Sequence, residues 1–234
     1  MSDITQADLD ALTAFDTPTI CNALERLDPS LQGSGYTTEP CVCGFPAQKP
    51  VIGYARTAAI RSAQPLAASP AEQRQAQNDY YRHIDAGPKP SIVVIQDLDG
   101  ADAGYGAFWG EVHTAVHKAL GAEGCVTNGS FRDLDMLAKD FQIIGGRIGP
   151  SHAHVHLVDF GKAVNVCGMH AAHDDVIHAD YHGAVVIPAE CVAKLPEAID
   201  LVSRRERVIL DVCADPEFTP AKLREAVRRS GEIH

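Results

Sequence analysis

Apolar, strand-forming segments alternate with helical patterns through the middle of the chain. VIGYARTAAI (51–60) predicts one strand, and the apolar run in KPSIVVIQDLDG predicts a second, buried strand at 92–95. The polar stretch between them predicts a helix that ends at Gly87, and GAFWGEVHTAVHKALG predicts a helix closed by Gly121. Strands that alternate with helices favour an α/β fold. Successive strand-like segments in the second half add direct strand–strand connections.

Both ends of the chain carry helical signals, and no linker separates them from the middle. Near the N-terminus, DTPTICNAL predicts a helix capped by Thr17, with Pro18 at its first position. We therefore expect one domain over residues 1–234. Its expected parts are N-terminal helices at 5–28, an α/β core at about 40–190 and C-terminal helices at about 190–232.

The overall charge of the chain excludes some classes of protein. Thirty-one acidic residues against 20 basic ones give a net charge of -11, which argues against a nucleic-acid binder. No apolar run approaches the ~20 residues that cross a bilayer. The polar start, MSDITQADLD, does not resemble a secretory signal. The seven cysteines are odd in number and scattered, which favours reduced thiols in a cytoplasmic protein.

The segment GYGAFWGE (104–111) is rich in glycine and stands between a predicted strand and a predicted helix. Glycines allow close approach of a ligand to the backbone, and free N–H groups at a helix start attract anions. The spacing is neither that of a dinucleotide-binding fingerprint nor that of a P-loop. An ordinary strand-to-helix turn is the structural alternative. Glu111 is either an acid favoured by the helix dipole or an acid at the mouth of an anion site.

Arg132 and Asp133 stand side by side after the next predicted strand and the turn at Asn128 and Gly129. If the two strands are parallel, the loops that follow them leave the sheet at the same edge, where ligands bind in such folds. Arg132 offers a planar cation suited to a carboxylate or an enolate oxygen. Asp133 offers the hard oxygen that Mg²⁺ prefers. A surface ion pair is the structural alternative.

The spacing Glu111, twenty residues, Arg132-Asp133 resembles the signature of a known family. That family contains the class II 4-hydroxy-4-methyl-2-oxoglutarate/4-carboxy-4-hydroxy-2-oxoadipate aldolases and the regulator of ribonuclease activity A. Four further blocks of the sequence also resemble family blocks, and the resemblance covers residues 15–195. These blocks are DTPTICNAL, GYGAFWGE, GCVTNGSFRDLDML and DVIHADYHGAVVIP.

The resemblance implies a layered α/β/β/α fold of the phosphohistidine-swivelling-domain type. It also implies trimers or hexamers with the active site at a subunit interface. The implied activity is that of a divalent-metal-dependent lyase, an aldolase or decarboxylase, that releases pyruvate from a small 2-oxo acid through a metal-stabilised enolate. Either Mg²⁺ or Mn²⁺ serves as cofactor, and no nucleic acid or membrane is involved.

The resemblance also assigns roles to residues of this sequence. Asp133 would bind the metal, and Arg132 would bind the pyruvyl oxygen and stabilise the enolate. Backbone amides of the glycine loop would hold the pyruvyl carboxylate. Glu111, which replaces the aspartate of the best-known aldolases, would orient a water and direct proton transfer. The loop residues concerned are Gly104, Tyr105, Gly106 and Ala107. The family also uses an acid from a neighbouring subunit, for which Glu217, Glu225 and Glu232 are the candidates.

Histidines are frequent in the second half of the chain, and each group has two interpretations. His152, His154 and His156 alternate, so on a strand they would share one face as a metal site, or more simply form a polar face or a subunit contact. His178 and His182 flank the late family block and are possible substrate contacts, with His170 and His173 nearby. His113 and His117 have the spacing of two ligands on one helix face, although a helix surface or an interface is the preferred interpretation.

Two other functions compete with the lyase hypothesis. Some family members are non-enzymatic regulators that bind a ribonuclease, and such a protein would be indifferent to metal. Sequences of this kind also attract a methyltransferase label, but no glycine-rich nucleotide-cofactor motif supports it here.

Overall fold

The structure is a computed structural model, and it describes residues 4–234. The helices in this range are α1 (Gln6–Leu12), α2 (Thr17–Leu27), α3 (Pro70–Asp85), α4 (Glu111–Ala119), α5 (Ala189–Val192), α6 (Leu195–Cys213) and α7 (Pro220–Gly231). The strands are β1 (Val42–Cys43), β2 (Val51–Arg61), β3 (Ser91–Asp97), β4 (Ala107–Trp109), β5 (Ala122–Thr127), β6 (Ser130–Phe131), β7 (Gln142–Gly145), β8 (Arg147–Ile148), β9 (His156–Phe160), β10 (Val164–Val166), β11 (Met169–Ala171), β12 (Val176–Asp180) and β13 (Gly183–Ile187).

The main sheet has the order β1-β7-β5-β3-β2-β12-β13. Strands β2, β3, β5 and β7 run parallel, and β1, β12 and β13 pair antiparallel to their neighbours. The long strand β2 divides one of its edges between two partners. Its first residues pair with β12, Ile52 opposite His178, and its last residues pair with β9, Ala58 opposite Phe160. The expected α/β class is therefore confirmed.

Both faces of the parallel strands are buried, which explains their continuous apolar sequences. In β3, Ile92 and Val94 pack beneath the β10–β11 hairpin, while Val93 and Ile95 pack towards α3 and the segment around α4. A third apolar cluster joins α1, α2, α5 and α6 to β12 and β13. Helices thus cover two regions of the sheet and a hairpin covers a third, in agreement with the layered fold that the family resemblance implies.

The start of α2 differs from the sequence prediction by one residue. Asp16, not Thr17, caps the helix by accepting a 2.9 Å hydrogen bond from the N–H of Thr19. The hydroxyl of Thr17 lies 3.0 Å from Nδ1 of His178, and its N–H donates to Asp180 at 2.9 Å. Thr17 therefore joins the helix to β12, which leaves the capping role to its neighbour.

A short parallel sheet, β4-β6-β8, stands apart from the main sheet. Sequence patterns predicted helix across GAFWGE, but residues 107–109 form β4, and α4 begins only at Glu111. The cause is a long-range contact, since the carbonyl of Trp109 accepts the N–H of Arg132 at 3.0 Å. Trp109 and Phe131 are fully buried in this sheet, so both pack in the core.

Within residues 4–234, no helix is both long enough and apolar enough to cross a membrane.

Candidate functional site

The two loops that carry the candidate residues leave the same edge of the main sheet. Strands β3 and β5 are parallel neighbours and end at Asp97 and Thr127. The side chain of Asn128 ties these ends together. Its Oδ1 accepts the N–H of Asp97 at 2.7 Å, and its Nδ2 donates to the carbonyl of Asp97 at 2.9 Å. Both loops thus start from a fixed point.

Glu111, Arg132 and Asp133 all line one cleft of about 380 Å³. Its wall includes Ala107 and Gly110 from the segment before α4. Residues that are 21 positions apart in the chain therefore meet in one place, because β4 and β6 pair in parallel.

Asp133 adopts a strained backbone conformation at the edge of this cleft. Its φ of 58° and ψ of 42° lie in the left-handed region, which costs most residues roughly 1–2 kcal/mol. Its Oδ2 accepts the backbone N–H of Glu111 at 3.2 Å and lies 3.5 Å from Nε of Arg132. Its Oδ1 has no hydrogen-bond partner among the described residues, and 28% of the side chain is exposed. Strain of this kind is concentrated at functional sites.

The guanidinium of Arg132 is largely uncommitted. Its Nε faces Asp133, whereas its two terminal nitrogens have no hydrogen-bond acceptor within residues 4–234. The side chain is 36% exposed and lines the cleft. Arg132 thus presents a charged, planar guanidinium to any ligand that enters the cleft.

Gly110 makes the close approach of these groups possible. A Cβ atom at this position would lie 2.5 Å from Oδ2 of Asp133 and 3.2 Å from Cγ of Arg132. Both distances are shorter than ordinary van der Waals contacts, so a side chain here would displace the pair. The requirement is for space, because the backbone of Gly110 is extended.

The amides of the glycine loop are mostly occupied, which corrects one of the sequence expectations. Gly104 N–H donates to Oδ2 of the buried Asp97 at 2.8 Å, and Tyr105 N–H donates to the carbonyl of Asp102 at 2.9 Å. Ala107 N–H donates to the carbonyl of Ser151 at 2.8 Å. Of the four expected donors, Gly106 alone keeps an N–H without an acceptor in the described part of the chain.

The first turn of α4 offers free amides instead. The N–H groups of Val112 and His113 precede the first intrahelical bond, which Thr114 N–H makes to Gly110. Neither of the two has an acceptor among the described residues, and both residues line the cleft. The helix dipole adds to their attraction for an anion. The sequence did predict a helix here, but it placed the start of the helix before Glu111, where α4 actually begins.

His117 is buried, contrary to the expected helix surface or interface. Its Nδ1–H donates to the carbonyl of His113, so its Nε2 accepts the hydroxyl of Tyr80 at 2.8 Å. Burial lowers the pKa of His117 to about 3. His113 lines the cleft, and burial, with a smaller contribution from Arg132, lowers its pKa to about 4. Both imidazoles are therefore neutral at ordinary pH.

The three alternating histidines do not share a strand face. Strand β9 begins only at His156, whereas His152 and His154 lie in the preceding loop. Nδ1 of His152 bonds to the carbonyl of Ala153, and Nδ1 of His156 bonds to the carbonyl of His154, both at 2.8 Å. His152 lines the cleft beside Arg132, a position that alternation alone did not predict.

His178 and His182 lie far from the cleft within one protomer. His178 faces Ile52 near the start of β2, whereas Asp97 faces Ile60 near its end, which separates them by about 26 Å along the strand. His182 bonds to the carboxylate of Asp180 through its backbone N–H at 2.8 Å. His173 stacks on His83, with ring centroids 4.7 Å apart, and His170 lies in β11. The late family block thus anchors the start of α2.

A divalent cation fits the cleft only with a shell that is mostly water. Among the described residues, no group of three or more His, Cys, Asp or Glu side chains is arranged to hold a metal. Oδ1 of Asp133 is nevertheless a free, accessible carboxylate oxygen, and Mg²⁺ commonly binds through one or two carboxylates and several waters. Asp133 is the residue that would hold the ion.

The three C-terminal acids are already paired to different degrees. Glu225 and Glu232 both bond to Arg228 on α7, and Glu217 lies 3.6 Å from Lys222. Their expected role in a neighbouring subunit stays a prediction.

Residues 17–186 match a family described as "RraA-like: Aldolase/RraA". No curated protein matches the chain. A solved structure of an uncharacterised protein from Pseudomonas syringae pv. tomato str. DC3000 is 23% identical, with a TM-score of 0.73. That match covers 97% of this chain and 96% of the other.

Two further solved structures share the fold at lower identity. RraAS2 from Streptomyces coelicolor, described as an unusual member of the RNase ES inhibitor RraA protein family, is 18% identical over 88% of this chain and 96% of that one, with a TM-score of 0.64. A protein named S-adenosylmethionine: 2-dimethylmenaquinone methyltransferase, from Geobacillus kaustophilus HTA426, is 14% identical over 74% of this chain and 94% of that one, with a TM-score of 0.53. At these identities the likeness concerns the fold alone.

Proposed function

The chain belongs to the RraA-like aldolase/RraA family, and from that premise we propose that it is a divalent-metal-dependent lyase. In this proposal it cleaves a carbon–carbon bond of a small 2-oxo acid, as an aldolase, a decarboxylase or both, and releases pyruvate. One observation carries the proposal. A guanidinium with two unpaired terminal nitrogens, a carboxylate with a free oxygen and a second acid line the same cleft at the start of a helix.

The free amides of α4 and the guanidinium of Arg132 provide for the pyruvyl end of the substrate. The N–H groups of Val112 and His113 would bind its carboxylate at the positive end of the helix. The terminal nitrogens of Arg132 would bind the adjacent 2-oxo oxygen, where negative charge develops as the carbon–carbon bond breaks. Because both sets of donors are already in position, little reorganisation is needed during the reaction.

Asp133 would hold Mg²⁺ or Mn²⁺ through Oδ1. When bound, the ion supplies Lewis-acid stabilisation of the same developing charge, so the mechanism needs no Schiff-base lysine. The Glu111 amide fixes Oδ2 and thereby orients Oδ1. This arrangement of a ligand by a neighbouring donor is typical of metal sites.

Glu111 is the group that we assign to proton transfer. Its carboxylate has no hydrogen-bond or ion-pair partner within residues 4–234, and it lines the cleft. A free carboxylate there would accept the proton of the substrate hydroxyl through water and return a proton to the product. The rest of the residue is held by its backbone bond to Asp133.

We also propose that the protein is a homo-oligomer, a trimer or a hexamer, with this cleft at an interface. Exposed apolar side chains lie on the segments that lead into and out of the cleft residues, and exposed apolar surface is typical of contact surfaces. They are Tyr105, Val112, Leu134, Met136 and Ile148. The identity of the acid that a second subunit would contribute, and the cytoplasmic location, stay predictions.

The test is pyruvate release from oxaloacetate and from 4-hydroxy-4-methyl-2-oxoglutarate, measured with Mg²⁺, with Mn²⁺ and with excess chelator. We expect metal-dependent pyruvate from at least one of them, and the ratio of the two rates separates decarboxylase from aldolase. The Asp133→Asn variant should lose this activity. Asp135→Asn is the matched control, because Asp135 is exposed and lies two positions away. A rate of pyruvate release that is unchanged by chelator, or unchanged in the Asp133→Asn variant, would overturn the assignment of the site.

A non-enzymatic regulator is the second candidate, favoured by the likeness to the Streptomyces coelicolor RNase ES inhibitor relative. Such a protein would bind a ribonuclease E-type enzyme and slow RNA cleavage. It would do so equally with chelator and in the Asp133→Asn variant. Inhibition with that behaviour, together with no pyruvate from either substrate, would favour the regulator.

A further inference from the structure

Cys41 and Cys167 lie together on the side of the main sheet that the β10–β11 hairpin covers. Cys167 occupies the hairpin turn and is buried, with a φ of 49°. Its carbonyl accepts the N–H groups of Thr38 at 2.8 Å and Glu39 at 3.1 Å, which holds the segment before Cys41 against the turn. Sγ of Cys41 lies 3.5 Å from the carbonyl oxygen of Glu39, so the Cys41 side chain turns back towards the same hairpin turn. The two cysteines are therefore neighbours in the fold although they are far apart in the chain.

The two thiols differ in exposure and acidity. Cys41 is half-buried, and the hydrogen bond from Cys167 lowers its pKa. The same hydrogen bond, together with burial, raises the pKa of Cys167. Cys41 is thus the thiol that ionises first and that solvent reaches, and the thiolate is the reactive form of cysteine. Cys167 lies deeper in the structure and supplies the second thiol.

Four other cysteines of the described chain lack this combination. Burial raises the pKa of Cys21 to about 11 and also raises the pKa of Cys43. Cys125 is fully buried, and burial raises its pKa well above the ordinary value for a thiol. Cys213 is exposed at the end of α6.

We propose that Cys41 and Cys167 form a reversible intramolecular disulfide when the protein meets a low-molecular-weight disulfide such as oxidised glutathione. The Cys41 thiolate attacks one sulfur of the reagent, forms a mixed disulfide and releases one glutathione thiolate. Cys167 then loses its proton to solvent and attacks Sγ of Cys41, which releases the second glutathione. Two protein thiols are oxidised, and one glutathione disulfide is reduced to two thiols.

The segment that carries Cys41 can move to form this bond. A disulfide requires the two sulfur atoms to approach to about 2.05 Å. Cys41 lies between Pro40 and the two-residue strand β1, outside any long element, so its backbone has room to shift. Sγ of Cys167 lies 3.6 Å from the carbonyl of Thr127, the last residue of β5. The modification therefore occurs directly beneath the strand that leads to Arg132, whether or not the chain is a lyase.

The test uses the Cys213→Ser protein as parent, because the exposed Cys213 would otherwise react on its own. The parent is incubated with oxidised glutathione, quenched with acid and analysed by intact mass and peptide mapping. We expect a loss of two hydrogen masses, a Cys41–Cys167 cross-linked peptide, no retained glutathione, and full reversal by dithiothreitol. On a non-reducing gel the oxidised parent should migrate faster than the reduced one.

Three variants of the parent make the outcome specific. Cys167→Ser should retain one glutathione on Cys41, since nothing displaces it. Cys41→Ser should form neither the cross-link nor an adduct at Cys167, and its Tm should not change with oxidant, whereas the parent's Tm should rise. Cys43→Ser, which removes a thiol two positions away on β1, should behave as the parent. A parent that stays reduced, or that keeps a stable glutathione on Cys41, would overturn the proposal.

Discussion

The backbone N–H of Glu111 donates a 3.2 Å hydrogen bond to Oδ2 of Asp133. This bond joins the first residue of α4 to the residue that follows Arg132, so two separate loops act as one rigid wall of the cleft. It also leaves Oδ1 of Asp133 as the free oxygen. The charge of that carboxylate and its hydrogen bond to Glu111 are therefore separable by substitution.

Replacing Asp133 by Asn tests the charge while preserving the backbone. Asn tolerates the left-handed conformation of this position and still offers an amide oxygen to Glu111. If the lyase proposal holds, metal-dependent pyruvate release should fall by at least about 100-fold, because mutation of the groups that merely orient a metal ligand already costs about 10- to 100-fold. The Tm should stay within a few degrees of the wild-type value. A large fall in Tm would mean that the residue acts on folding instead.

Replacing Gly110 by Ala tests the close approach of Asp133 and Arg132. The new methyl group would lie 2.5 Å from Oδ2 of Asp133, so the carboxylate must move. Displacements of about 1 Å in a catalytic site cost on the order of 100-fold in rate, and we expect a loss of that size in kcat/KM. Gly231→Ala is the control, because its Cβ would meet nothing within 4 Å. Equal activity of the two variants would argue against the role given to Gly110.

The buried His117 predicts a loss of stability in mild acid. Its folded-state pKa of about 3 lies below the ordinary value of 6.5, so below pH 6.5 the unfolded chain binds more protons than the folded one. The free energy of unfolding should therefore fall as the pH drops from 6.5. At about 1.4 kcal/mol per pH unit, this one residue contributes a fall of up to ~2 kcal/mol by pH 5.

Urea denaturation at pH 7 and pH 5 measures this effect. His117→Gln cannot take up the proton, so its free energy of unfolding should change less between the two pH values. His154→Gln is the control, because His154 is exposed and should leave the wild-type pH dependence unchanged. Identical pH dependence in wild type and His117→Gln would contradict the assigned neutral state.

Asp97 holds the glycine loop and predicts a stability effect of its own. Its carboxylate accepts the N–H groups of Gly104 and Asp99 and the hydroxyl of Ser62, and the residue is buried. Asp97→Ala removes the acceptor of all three donors. Since each unsatisfied buried donor costs about 1–3 kcal/mol, we expect the free energy of unfolding to fall by at least ~2 kcal/mol. Asp102→Ala, at an exposed neighbouring position, should change it little, as denaturant titration of both variants would verify.

Local sequence patterns predicted those strands and helices that are determined by their own residues. The apolar run of β3 and the long β2 both match the structure, and helices α5, α6 and α7 occupy the expected C-terminal part. The proximity of Arg132 and Asp133 to Glu111 followed from the expected parallel pairing of the two strands that precede their loops. The single-domain boundary stays a prediction.

Features that depend on distant partners were not predictable in this way. Three strands of two or three residues, β4, β6 and β8, exist because they pair with one another, and none has a periodic pattern of its own. The amides of Gly104 and Ala107 looked free, yet Asp97 and Ser151 occupy them from elsewhere in the chain. His117 appeared to lie on a helix surface because its partner, Tyr80, comes from α3.

The left-handed backbone of Asp133 has a consequence for how this cleft can diversify. Only Gly, Asn and Asp adopt that conformation readily, so few mutations at position 133 leave the fold undisturbed. Glu111 occupies the first turn of an ordinary helix, where nearly every residue type is tolerated. Drift and laboratory evolution should therefore alter the chemistry of this cleft through position 111 far more often than through position 133.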